Sequence, residues 1–120
     1  MDLWLCLLIA DRSSGVHVDF AGAGPFDDLY RAVAANTRDV WDHWYSHAVF
    51  VTFDGPVFAA GDEARDARWY RAVTVDGVPG LRLDEAPPPP ALAHVTPTEL
   101  LQGLQVKLPR AVRACRGVRA

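Results

Sequence analysis

The apolar run Leu3-Trp4-Leu5-Cys6-Leu7-Leu8-Ile9-Ala10 has no polar interruption. A run of this length and composition predicts a central strand buried on both faces. Ser13-Ser14-Gly15 reads as a turn, and Val16-His17-Val18-Asp19-Phe20 alternates like a strand with one wet face. His17 and Asp19 share the polar side, which places His17 in solvent. AGAGP (21–25) reads as a small-residue loop leading into a helix. Pro25 suits the first helical turn, where a missing N–H costs nothing, and Asp27 and Asp28 meet the positive end of the helix dipole. Phe26, Leu29, Tyr30, Val33, Val40, Trp41 and Trp44 recur at helical spacing. The pattern therefore predicts one long helix over about 25–44, with Trp41 and Trp44 in the core.

At Ala48 the period changes. AVFVTF (48–53) has strand character, Asp54-Gly55 is a hairpin signal, and PVFAA (56–60) is expected to pair back. GDEARDAR (61–68) reads as a charged surface connection, RWYRAVTV (68–75) as a strand, Asp76-Gly77 as a turn and GLRL (80–83) as the paired strand. EAPPPPA (85–91) predicts a stiff, extended connector, because each proline fixes φ and removes a donor. Thr96-Pro97-Thr98-Glu99 is a capping box opening a C-terminal helical segment over about 97–116, broken near Pro109. His94, just before it, is expected at the surface. The fold class is α+β: a mostly antiparallel sheet packed by the long helix and the C-terminal segment, within a single domain spanning 1–120.

Composition changes this picture little. Half of the 120 residues are hydrophobic and 22% are charged, which fits one folded domain and excludes wholesale disorder. Cys6 and Cys115 stand far apart without a CxxC, as free thiols of a reducing compartment do. Asp2 occupies the place of the positive charge in a secretion signal, and the run behind it is shorter than the roughly 20 residues of a membrane span. A cytoplasmic location with no membrane partner is the expectation.

Charge changes the picture more. Residues 1–99 hold all fifteen acidic residues against seven basic ones, a net of −8, while Lys107, Arg110, Arg113, Arg116 and Arg119 give the last segment +5 with no acid. Such a tail suits a polyanion such as nucleic acid, or the acidic body of the chain itself.

Chemistry-bearing motifs are few. The chain has no GxSxG, no HExxH and no phosphate loop, and Gly22-Ala23-Gly24 lacks the third glycine of a dinucleotide site, so no cofactor is expected. Asp39, His43 and His47 are spaced by four, but His47 falls beyond the helix end, so no metal is expected either. His47 with a thiol remains. A Cys–His hydrolase needs an imidazole to take the proton from sulfur and a third group to orient the ring. Cys115 lies among arginines that lower a thiol pKa; equally, a lone cysteine amid Ala and Val serves as a small buried hydrophobe.

SHAVFVTFDGPVFAA (46–60), behind an amphipathic helix and an aromatic cluster, resembles the histidine-bearing hairpin of the circularly permuted NlpC/P60-type, papain-like cysteine hydrolases, over about residues 29–60. In that family Ser-His opens a strand, the returning strand carries an acid, and the nucleophilic cysteine follows at a helix start. The resemblance implies His47 as base and Cys115 as nucleophile, with Asp62 the nearest substitute for the orienting acid, in a hydrolase acting on an amide or ester bond. Two departures leave a degenerate relative open beside an active one: Val57-Phe58-Ala59-Ala60 has no acid, and Cys115 sits near the end of its helical segment. The other classes that stand are a non-catalytic protein-binding or assembly module, and a nucleic-acid-associated protein using Arg110, Arg113, Arg116 and Arg119. The partner expected first is another protein or a peptide-like substrate.

Overall fold

The structure is a computed structural model that describes residues 3–35, 44–54, 63–84 and 92–103. Five strands and two helices follow in the order β1 (Trp4–Arg12), β2 (Gly15–Gly24), α1 (Phe26–Ala35), β3 (His47–Phe53), β4 (Ala64–Val75), β5 (Val78–Asp84) and α2 (Pro97–Gly103). The strands form one antiparallel sheet in the order β2-β1-β3-β4-β5. The architecture is α+β, as expected.

The unbroken apolar run of β1 fits its place inside the sheet, because α1 and α2 are associated with opposite faces. Trp4, Cys6 and Leu8 pack with Leu29 and Val33 of α1 and with Ala48, Phe50 and Tyr70. Leu5, Leu7 and Ile9 pack with Leu92, Leu100 and Leu101 around α2 and with Val49, Val51, Phe53 and Trp69. On the α1 face Phe50 is wholly buried and stands 5.4 Å from Phe26 and 5.3 Å from Tyr70 between ring centroids, both edge-on. Arg68 closes this aromatic cluster, its guanidinium carbon 4.3 Å from the Phe26 centroid and 4.7 Å from that of Trp4. Gly22 marks the close approach of α1 to β2, where a Cβ would stand 3.1 Å from Leu29 Cδ1.

Local signals explain the element ends. The Pro25 carbonyl accepts the first helical bond from the Leu29 N–H at 3.0 Å, so Pro25 caps α1 from outside. Thr96 caps α2 by accepting from the Glu99 N–H at 3.1 Å, and its hydroxyl donates to Glu99 Oε1 at 3.2 Å. Thr98 Oγ1 accepts from the Ala64 N–H at 3.0 Å and ties α2 to the start of β4. Asp76 at φ 53° and Gly77 at φ 78° form the left-handed two-residue turn expected of Asp-Gly between β4 and β5.

Several expectations are corrected. The long helix over 25–44 is a helix of 10 residues, Phe26–Ala35; residues 36–43, Trp41 among them, lie outside the described residues. Trp44 is 49% exposed and not in the core. The reason is positional: the Ser46 N–H already donates to the Ile9 carbonyl and the Ser46 carbonyl accepts from Ala72 N–H, each at 2.9 Å, so the chain is extended two residues after Trp44. AGAG is the end of β2, bulged at Ala21, rather than a loop. The expected pairing of β3 with 56–60, which lie outside the described residues, gives way to β4, because β1 and β4 occupy both edges of β3. The charged stretch 64–68 belongs to β4, where Ala67 joins the α2-side core and Arg68 covers the aromatic rings. The C-terminal segment is helical over Pro97–Gly103, and the connector 85–91 and residues 104–120 lie outside the described residues.

Candidate functional site

His47 opens β3 and pairs across the ladder with Ile9 on one side and Arg71 on the other. Strand alternation puts its ring on the face that carries α2, half-buried. Its polar partner is local: Ser46 Oγ lies 2.6 Å from His47 Nδ1. Burial lowers the His47 pKa first and the Arg71 guanidinium lowers it further, against the opposing pull of Asp84 and Asp11. Arg71 donates through Nε to Asp84 Oδ2 at 2.8 Å. Ser46 thus holds one ring nitrogen, while burial and Arg71 favour the neutral form of the imidazole.

Of the expected hydrolase residues, the structure places only His47. Cys115 and Asp62 lie outside the described residues, as do Asp39, His43, Arg110, Arg113, Arg116 and Arg119. Cys6 is buried on the opposite, α1 face, where desolvation pushes its thiol pKa far up, so it is not a nucleophile for His47. Among the described residues no three His, Cys, Asp or Glu side chains are grouped to hold a metal, and no helix is long and apolar enough to cross a membrane.

Trp44 and Tyr45 are held against the α1 face of the β1–β2 hairpin. Arg12 donates to the Trp44 carbonyl at 2.9 Å and stacks over its ring at 4.1 Å, and the His17 ring is 6.1 Å away. Tyr45 donates to Asp19 Oδ2 at 2.6 Å; burial and this bond push the Tyr45 pKa up to about 12. His17 and His94 are exposed, as expected.

The two sheet edges differ in chemistry. The turn Ser13-Ser14 closes on the pair Arg12↔Gly15, and Ala10↔His17 and Leu8↔Asp19 follow in register. Two-residue hairpins close on a hydrogen-bonded pair and such pairs alternate, so Gly15, His17 and Asp19 bond to β1. The main-chain groups of Val16, Val18 and Phe20 therefore point away from β1, and among the described residues no strand pairs with that edge. The same alternation from Val75↔Val78 turns Pro79, Leu81 and Leu83 outward on β5. Pro79 has no N–H, so the β5 edge is interrupted. The β2 edge has no such interruption from Gly15 to the Ala21 bulge.

Beyond that bulge, a groove of about 420 Å³ runs between β2 and α1. Ala21, Gly22, Ala23 and Gly24 form one wall, and Leu29, Ala32 and Val33 the other. The small residues of AGAG hold open the space that larger side chains would fill. Sequence reasoning missed this surface because strand order is not written in any one strand; Pro79 was the available signal that β5 is a protected edge. Compared with known proteins, the chain matches no family model, no curated protein and no solved structure.

Proposed function

We propose that this chain is a non-catalytic protein-binding module that receives an extended strand of a second polypeptide on the outer edge of β2. One observation carries the reading: β2 presents an unbroken outward row at Val16, Val18 and Phe20, continuous with an apolar groove, while the opposite edge is interrupted by Pro79. Strand addition draws affinity from main-chain hydrogen bonds and specificity from pockets that take alternate side chains. The groove beside α1 supplies such a pocket, and its alanine and glycine wall suits apolar side chains.

The hydrolase alternative rests on His47. Burial first, and the Arg71 guanidinium second, oppose the imidazolium that a thiolate–imidazolium pair requires, against the pull of Asp84 and Asp11. Binding therefore accounts for more of the described surface than catalysis does.

Selection of extended peptides from a displayed random library tests the reading. Selected peptides are expected to bind the wild type and to lose binding to Val18→Pro, which removes an outward donor, and to Ala32→Trp, which fills the groove. A library that yields no binder, or binders indifferent to both substitutions, would overturn it.

A further inference from the structure

We propose that the occupant of the β2 edge is a second copy of the chain, its β2 running antiparallel to the first with Val18 on the two-fold axis. This rests on the reading of β2 as the docking edge and adds the identity of the partner.

The geometry of the edge sets the centre. The straight part of β2 begins at Gly15, after the turn, and ends at the Ala21 bulge, and Val18 lies midway between them. In a symmetric antiparallel pair an outward residue must face an outward residue. Centring on Val18 sets Val16 against Phe20 of the second copy and Val18 against its own mate, so all three outward residues form hydrogen-bonded pairs.

The side chains agree with this register. On the α1 face His17, its Nε2 3.2 Å from Ser14 Oγ, lies opposite Asp19 of the second copy, whose Oδ2 also accepts from Tyr45, and the two-fold repeats the pair. On the α2 face Val16, Val18 and Phe20, each only partly buried against the core, make one apolar row. The neighbouring registers do worse. Centring on residue 17 sets His17 against itself and pushes Phe20 onto the turn at Ser14, and centring on residue 19 sets two Asp19 carboxylates face to face. Like charges directly opposite across a ladder are destabilising, whereas centring on Val18 sets each carboxylate against an imidazole. Side-chain pairing and main-chain hydrogen bonding select the same centre, and the product is one continuous sheet made of two five-stranded halves.

Charge exchange at the seam tests the proposal, read by light scattering and sedimentation of the full chain from micromolar to millimolar concentration. The wild type is expected to dimerise. His17→Asp, which sets acid against acid twice, is expected to weaken the dimer on the order of tenfold, and Asp19→His to weaken it as well. The double variant H17D/D19H restores the imidazole–carboxylate pair in reversed order and is expected to recover the dimer. Val18→Pro is expected to leave a folded monomer, since the donor it removes serves no strand of its own sheet and Val18 is only partly buried; circular dichroism checks the fold. A wild-type monomer throughout, or a dimer indifferent to His17→Asp and Val18→Pro, would overturn the second copy as occupant. If displayed peptides still bind the wild type and lose Val18→Pro, the edge reading stands and only the partner is wrong. If the peptides also ignore Val18→Pro, both fail.

Discussion

Arg71 stands directly across the β3–β4 ladder from His47 and holds Asp84 on its far side, Nε to Oδ2 at 2.8 Å. The arrangement keeps a positive charge beside a half-buried imidazole. Folding therefore favours the neutral ring, and the folded pKa lies below the unfolded value of about 6.5. The unfolded chain binds more protons than the native one between those two values, so stability rises with pH across that window. The His47 contribution is present above the unfolded pKa and is lost as pH falls toward the folded one. Urea unfolding from pH 7 to pH 5 is expected to show declining stability, with a smaller decline in His47→Gln. Arg71→Gln is expected to raise the His47 pKa, read by NMR titration of its ring protons.

The aromatic cluster and the exposed tryptophan separate cleanly by mutation. Phe50 is wholly buried amid Phe26, Tyr30 and Tyr70, so Phe50→Ala is expected to cost about 3–5 kcal/mol. Trp44 is 49% exposed and its described contacts are the Arg12 stack and neighbouring rings, so Trp44→Ala is expected to cost about 1 kcal/mol. Denaturant midpoints of the two variants measure the difference. Equal losses would put Trp44 back in the core.

Thr96 caps α2, which spans 7 residues among those described. Thr96→Ala is expected to lower stability by about 1 kcal/mol, and Thr96→Ser to retain most of it. Because α2 covers the Leu5–Leu7–Ile9 face through Leu100 and Leu101, the loss should appear in the global unfolding transition and not as local fraying alone.

Cys115 tests the hydrolase alternative. As part of a binding module it alkylates as an ordinary thiol with a pKa of about 8.5, and His47→Ala leaves its rate-against-pH profile unchanged. Reactivity that rises well below that pH and disappears in His47→Ala would establish the Cys–His pair instead. Cys6, buried under α1, is expected to react only on unfolding.

Much of the sheet was legible because each strand carries its own pattern. The unbroken run of β1 marked a strand covered on both faces, and Val16–Phe20 alternated as a strand with one wet face does. Asp76-Gly77 marked its turn through the positive φ it requires. What failed depended on neighbours. Trp44 kept helical spacing with Phe26 and Tyr30, yet the ladder bonds of Ser46 to Ile9 and Ala72 demand extended chain almost at once. The charges of 64–68 hid a strand because Arg68 spends its length over the rings of Trp4 and Phe26. At the site, the position of His47 at a strand start followed from the change of period at Ala48. Its surroundings did not, since Arg71 and Asp84 reach it only through the β3–β4–β5 register.

Residue-resolved amide exchange at increasing protein concentration tests the role of the β2 edge most directly. In a lone chain the amides of Val16, Val18 and Phe20 point outward and exchange fast, while His17 and Asp19 are held by β1. Strand addition by a second copy is expected to protect Val16, Val18 and Phe20 progressively as concentration rises, with Leu81 and Leu83 on the β5 edge staying fast. Fast exchange at the three β2 amides at every concentration, with new protection confined to other surfaces, would contradict it.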